Sequence, residues 1–99
     1  MYSDIQKLRS TEKTADLLRL LSDPTRIRIL KTLFAHPEGM CVYEIASAVG
    51  ATPSATSHQL SKLERWSAVV CFREGQKICY ELSTEPIVER IENVLEAAS

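Results

Sequence analysis

No stretch of this 99-residue chain is apolar over the roughly 18 residues that a membrane-spanning helix needs. The beginning of the chain also lacks the apolar core of a secretion signal, because charged residues interrupt it at Asp4, Lys7, Arg9 and Glu12. The sequence therefore predicts a cytoplasmic protein without a membrane partner. With 44% hydrophobic and 25% charged residues, it suits one domain over residues 1–99 and leaves no room for two.

Cysteine is scarce, and its spacing argues against a disulfide scaffold. The three cysteines, Cys41, Cys71 and Cys79, are odd in number and contain no CxxC pair. A reducing compartment is the simpler expectation. Cys41 is expected to be a small buried hydrophobic residue, since free cysteine is among the most buried residue types.

Positive charge is not in excess either, because the formal net charge is -1. The chain as a whole therefore does not attract nucleic acid, and any such binding needs a local patch. The charges are indeed segregated: between positions 57 and 77 four basic residues stand against two acidic ones, and from Glu81 onward five acidic residues stand against Arg90 alone. The alternative is that these are two ordinary solvated faces.

What the chain does contain is helical periodicity in five segments. The predicted helices cover residues 5–21, 24–35, 43–49 and 53–65, with a last helix beginning at Pro86. Asp23 is expected to cap the second helix, and Gly50 is expected to end the third in a left-handed conformation. Met40-Cys41-Val42 is too short to be more than a strand-like segment beside a sheet edge.

Between residues 68 and 82 the period changes to two, which predicts strands over 68–73 and 77–82 joined through Glu74-Gly75-Gln76. If the loop has an even number of residues, Cys71 faces inward and Cys79 faces outward. If the number is odd, these two cysteines lie opposite each other and form a thiol pair able to oxidise or to bind As(III).

The stretch from Thr52 to Arg65 has the character of a recognition helix. Thr52 is a suitable N-cap and Pro53 a suitable first residue, while Thr56, Leu60 and Leu63 form a narrow apolar stripe. A short helix, a glycine turn and this helix make a helix-turn-helix, and the hairpin that follows makes it winged. The predicted fold is mostly α with a small antiparallel β-hairpin, in the order α-α-α-α-β-β-α.

Three segments resemble the ArsR/SmtB family of repressors. They are residues 21–30 (LSDPTRIRIL), 54–60 (SATSHQL) and 73–80 (REGQKICY). The resemblance implies a homodimer that represses transcription and releases DNA when an effector binds. It also implies pairing through the first and last helices, 1–21 and 85–98, around a winged core of residues 14–82.

Apolar stripes on both end helices lead independently to the same expectation, because so short a chain has little core to cover them. The predicted interface consists of Leu8, Leu17, Leu18, Ile87, Ile91, Val94 and Leu95. The alternative is that these residues pack only within their own domain.

DNA contacts are expected from the start of the recognition helix and from the wing. In the helix, Ser54, Ser57 and His58 would reach the backbone or base edges, Ala55 a thymine methyl, and Lys62 a phosphate. In the wing, Arg73, Gln76 and Lys77 would reach the backbone or the minor groove. Pro53 departs from the family pattern at a base-contact position, so the operator sequence of relatives cannot be assigned to this protein. Trp66-Ser67 also departs from that pattern, so the geometry with which the chain leaves the helix cannot be taken from relatives either.

The effector site is left open by the sequence. Metal-sensing relatives carry Cys-x-Cys at the start of the third helix, but Tyr43 replaces the second cysteine here. Cys41 alone cannot hold a thiophilic ion, and its neighbours His36, Glu38 and Glu44 have no recognised spacing. Cys41, Cys71 and Cys79 remain possible thiol, metalloid or redox sensors, and no metal or cofactor is certain. The last helix contains no histidine, so the zinc site of other relatives is absent.

Two functions other than repression are the alternatives. The adjacent Ser57 and His58 do not form a nucleophile–base pair, because neighbouring helix residues point about 100° apart. The sequence therefore predicts a protein that is not an enzyme. A winged-helix protein-interaction module without DNA binding is the serious alternative, favoured by the acidic net charge.

Overall fold

The computed structural model describes the backbone of residues 2–99 and the side chains of residues 4–99. Five helices and three strands follow one another in the order α1, α2, β1, α3, α4, β2, β3, α5. Their bounds are Tyr2–Leu20, Pro24–Ala35, Met40–Cys41, Val42–Val49, Pro53–Arg65, Val69–Glu74, Lys77–Leu82 and Pro86–Ala98. None of the helices described has the length and apolar character that crossing a membrane requires.

The helix boundaries follow the capping residues closely. Asp23 is the N-cap of α2. Its Oδ1 accepts hydrogen bonds from the backbone N–H groups of Thr25 at 2.8 Å and Arg26 at 3.1 Å. Pro24 fits the first position of α2 because no amide is needed there. The predicted bounds of α2 are thus confirmed at both ends.

The sheet has three strands in the order β1-β3-β2, all antiparallel. The loop between β2 and β3 contains two residues, Gly75 and Gln76, because Glu74 pairs with Lys77. The loop is therefore even and one residue shorter than the connection Glu74-Gly75-Gln76 expected from the sequence, and Cys71 shares a face with its partner Tyr80. The predicted strand-like segment is also confirmed, because residues 40–41 form β1 and pair with β3.

Gly39 allows β1 to lie beside β3. Its φ of +89° is in the left-handed region, and a Cβ there would come within 2.9 Å of the Tyr80 carbonyl oxygen and 2.8 Å of the Phe72 ring. A side chain would push the connector off the sheet. This glycine therefore fixes the placement of Cys41 opposite Cys79.

The core lies between the helices and the inner face of β2 and β3. It contains Leu20, Ile29, Leu30, Leu33, Val42, Ile45, Leu60, Leu63, Ala68, Val69, Tyr80 and Ile91. Ile91 is fully buried within its own chain. Its predicted place in a dimer interface is therefore wrong, because α5 uses this residue to pack on the core.

The burial of the two wing cysteines is the reverse of the prediction. Cys71 is exposed, although it shares a face with the buried Tyr80. Cys79 is fully buried because β1 covers it and Cys41 is bonded to it in a disulfide, with Cα atoms 3.7 Å apart. Cys41 is buried as expected, but it is bonded in a disulfide and is not a free thiol. The alternative pairing of Cys71 with Cys79 is not formed.

Candidate nucleic-acid interface

The turn before α4 is built as the sequence predicted. Gly50 ends α3 with φ +70°, and its N–H reaches the carbonyls of Ala46 and Ser47. Thr52 then caps α4, its hydroxyl oxygen accepting from the Ala55 N–H at 3.1 Å. The chain thus reverses in a few residues and aims the N-terminus of α4 away from the core.

The inner side of α4 is anchored by Thr56, Leu60 and Leu63, all fully buried. Its outer side carries the predicted contact residues Ser54, Ala55, Ser57 and His58, all exposed, and Lys62, which is half-buried. The helix therefore presents hydroxyls, an imidazole and an amine to solvent. These groups suit phosphate oxygens and base edges.

The wing places its predicted contact residues at the tip of the hairpin. Arg73, Gln76 and Lys77 are exposed around the two-residue loop. A cleft of about 510 Å³ separates the wing from α4, and Ser54, Ser57, Gln76 and Lys77 all line it. Ala55, His58, Lys62 and Arg73 are not among the residues that line this cleft.

A polar network behind α4 holds the helix in place, and no sequence pattern predicts it. Gln59 donates to Asp23 Oδ2 at 3.2 Å and accepts from Arg26 Nη1 at 3.1 Å. The other guanidinium nitrogens of Arg26 donate to the carbonyls of Leu20 at 2.8 Å and Arg19 at 3.2 Å. One arginine therefore joins the end of α1, the start of α2 and the middle of α4.

Asp23 is held in its charged form by the same network. The Arg26 backbone N–H is the main cause that lowers its pKa, with further contributions from the Thr25 N–H, the Arg26 charge and Gln59. The capping spacing was readable in the sequence. The partners Arg26 and Gln59 were not, because they lie 33 residues apart and only the packing of α2 on α4 joins them.

The hairpin is seated under α4 by Tyr80. This side chain is buried, and burial raises the pKa of its phenol, with the nearby Cys71 thiol adding to the shift. At the exit from α4, Ser67 adopts φ +61°, the left-handed conformation that glycine favours. The exit therefore turns as a glycine would allow, although serine stands there.

Two sequence neighbours of Cys41 are engaged in other contacts. Glu44 is engaged as a cap, its Oε1 accepting from the Cys41 N–H at 3.1 Å. His36 Nδ1 lies 2.9 Å from the Thr32 carbonyl oxygen. Among the side chains of residues 4–99, one group has ligand atoms close enough to share an ion, and it comprises Cys41, Glu74 and Cys79.

Comparison with known proteins gives the same architecture. The HTH-type transcriptional regulator YgaV of Escherichia coli is 32% identical over 78 residues, which cover 79% of this chain and 78% of that protein. The crystal structure of NolR from Sinorhizobium fredii is 32% identical with a TM-score of 0.74, covering 93% of this chain and 90% of that one. The homodimeric winged helix-turn-helix DNA-binding domain of Mb0332 from Mycobacterium bovis is 25% identical with a TM-score of 0.76, covering 93% and 83%.

A capped helix beyond a glycine turn, with a basic wing beside it, defines a winged helix-turn-helix regulator of transcription. Residues 23–65 match the family model described as bacterial regulatory protein, arsR family. The chain belongs to the ArsR family of bacterial regulatory proteins. It is a sequence-specific DNA-binding regulator and not an enzyme, which favours DNA binding over the interaction-module alternative.

Proposed function

We propose that this chain is a homodimeric repressor that binds an imperfect palindromic operator and leaves it when an effector reaches its cysteines. The N-terminal half of α4 enters the major groove, and the wing follows the adjacent backbone or minor groove. The single observation that carries this proposal is the cleft shared by Ser54 and Ser57 of α4 and by Gln76 and Lys77 of the wing.

The cleft supports this proposal because its polar groups come from two separate elements and point to one space. Hydroxyls and an amide can read base edges, and Lys77 can neutralise a phosphate. Lys62 on α4 and Arg73 on β2 add positive charge to the same two elements. Ala55 and His58 lie on the exposed side of α4, where they would contact a thymine methyl and a base edge or phosphate.

Homodimerisation is proposed from the exposed apolar side of α1. Ile5, Leu8 and Leu18 are 47%, 68% and 56% exposed, and among the side chains of residues 4–20 Leu20 alone is fully buried. A two-fold partner would cover this surface. The half-buried Leu17, Ile87, Val94 and Leu95 lie on the same two end helices, and we propose that they complete the contact. Residues 14–82 then form the winged core of a single domain.

A dimer also compensates for the small number of basic side chains that each protomer offers to DNA. Each neutralised phosphate adds to affinity by releasing counterions, so doubling Lys62, Arg73 and Lys77 doubles this contribution. The relative Mb0332 is described as homodimeric. We place the protein in the cytoplasm, where a bacterial regulator meets its operator.

The test is selection of binding sites from random DNA by the purified protein, followed by footprinting. The expected result is two inverted half-sites centred about one helical turn apart, roughly 10 base pairs. A footprint over one unrepeated site would contradict the dimeric mode. Affinity that does not change with salt concentration would contradict phosphate contact and favour a protein-interaction module.

The dimer is tested separately by sedimentation equilibrium on Leu8→Glu/Leu18→Glu. Buried charges at a two-fold contact should convert the dimer to monomer. Val70→Glu is the matched control, because Val70 is 43% exposed but lies on the hairpin. A double variant that remains dimeric would rule out α1 as the interface.

A further inference from the structure

Three side chains with metal-binding chemistry meet on one face of the sheet, and each comes from a different strand. Cys41 lies on β1, Cys79 opposite it on β3, and Glu74 at the end of β2. Glu74 pairs with Lys77, which shares a face with Cys79 two residues along β3. The strand register therefore directs both sulfur atoms and the carboxylate to the same side.

The three ligand atoms are close together and reachable. They all lie within 4.8 Å of one another. Cys79 is fully buried and Cys41 almost so, whereas Glu74 is exposed. Cys41 also lines the cleft between α4 and the wing, which gives an ion a path from solvent.

We propose that, in the reduced protein, Cys41, Cys79 and Glu74 bind one thiophilic divalent cation of the Zn²⁺ or Cd²⁺ type per protomer. Two thiolates select a soft or borderline ion over Mg²⁺ or Ca²⁺, and a carboxylate is an accepted third ligand of zinc. Three protein ligands leave the fourth position to water. The further ligands that Cys41 needs thus come from β2 and β3 and not from its sequence neighbours.

The disulfide and the cation exclude each other. A phosphine or a low-molecular-weight thiol must first supply two electrons, and two protons are taken up as the S–S bond opens to give two thiols. The cation then displaces both thiol protons and forms two metal–sulfur bonds. The net charge of the site stays at -1, since two thiols with one carboxylate become two thiolates and one carboxylate around a 2+ ion.

Because the net charge of the site does not change, the cation affects the wing by cross-linking strands and not by altering its electrostatics. It ties β1, which leads directly into α3, to the strand ends that carry Arg73 and Lys77. These residues border the proposed DNA-binding cleft. The ion therefore joins the helix-turn-helix and the wing through a bond that the reduced chain otherwise lacks.

The experiment is a titration of fully reduced, desalted full-length protein with Cd²⁺ under nitrogen, followed by ultraviolet thiolate-to-metal absorption. We expect saturation at one Cd²⁺ per protomer and no band from the oxidised protein. Glu74→Gln should weaken binding by about tenfold or more, since losing even an outer-shell partner costs about 10- to 100-fold. Glu38→Gln, a change at an exposed carboxylate near β1, and Cys71→Ser should bind as the wild type does.

A second measurement does not depend on the cysteine variants folding. Reduced protein is alkylated with iodoacetamide, with and without Cd²⁺, and the modified cysteines are identified by mass spectrometry. Cd²⁺ should protect Cys41 and Cys79 together and leave the exposed Cys71 reactive. Protection of Cys71, one ion per two protomers, or unchanged Cd²⁺ affinity in Glu74→Gln would overturn this ligand set. Neither measurement uses DNA, so failure here leaves the proposed repressor function standing.

Discussion

Gln59 in the middle of α4 donates its side-chain N–H to Oδ2 of Asp23, the residue that caps α2, at 3.2 Å. The same carboxylate receives the first N–H groups of α2 through Oδ1. The Asp23 side chain therefore caps the start of one helix and holds another. This link ties the orientation of the proposed recognition helix to the start of α2.

Gln59→Ala should lower the free energy of unfolding by about 1–2 kcal/mol, because it removes two hydrogen bonds at a half-buried site. Operator affinity should fall as well, since α4 loses its tether. Urea denaturation and DNA titration check the two effects. Gln76→Ala is the control: at the exposed wing tip it should alter DNA binding and leave stability unchanged. Equal stability of the two variants would count against the tether.

Acid should destabilise the protein through Asp23. Its folded-state pKa is lowered below the ordinary value of 3.8, chiefly by the Arg26 N–H, so its stabilising contribution is present above that value. The contribution is lost as pH falls through the lower, folded-state pKa. The thermal midpoint measured from about pH 6 to about pH 2 should therefore drop. Asp23→Asn keeps a capping side chain but does not titrate there, so its acid-induced drop should be smaller.

Thr56→Val should raise the free energy of unfolding by about 1 kcal/mol. Thr56 is fully buried, and its hydroxyl has no hydrogen-bond partner among the residues described. Valine has the same shape and removes the cost of burying that hydroxyl. Thr52→Val makes the same chemical change at the N-cap of α4 and should cost about 1 kcal/mol instead. Destabilisation by both variants would show that the Thr56 hydroxyl is satisfied.

Opening the disulfide should lower the free energy of unfolding by about 2–4 kcal/mol, because it releases a loop that joins residues 38 apart. Urea denaturation with and without a phosphine reductant measures this difference. Cys79→Ala should abolish the effect of the reductant. Cys71→Ser should retain it in full, and its loss there would reassign the disulfide.

Lys62→Ala should weaken binding to operator and random DNA alike and flatten the salt dependence. Each lost phosphate contact reduces the slope by about 0.9, so a dimer should lose about 1.8. Ser57→Ala and His58→Ala should instead change the preference among operator sequences. Competition binding at several salt concentrations separates these outcomes. The proposed roles fail if all three variants lose affinity equally on both DNAs.

Local chemistry in the sequence was enough to predict most of the fold. Asp23, Thr52 and Gly50 act within a few residues of their own positions, so the ends of α2, α3 and α4 followed from capping and turn preferences alone. The hairpin turn at Gly75 was likewise a local feature, but the sequence left open whether its loop is even or odd. The contact residues of α4 and the wing follow from these elements, and their roles stay a prediction.

The contacts between distant segments were decided by the tertiary structure. The sequence could not show whether α5 turns Ile91 to a partner or to its own core, because both give the same apolar stripe. It could not pair Cys41 with Cys79, because that depends on which strand β1 joins and in which register. Periodicity reports which residues share a face, and only packing decides what covers that face. The capped start of α4 is therefore set by its sequence, whereas its tether to Asp23 and the Cys41, Glu74 and Cys79 cluster exist only in the folded chain.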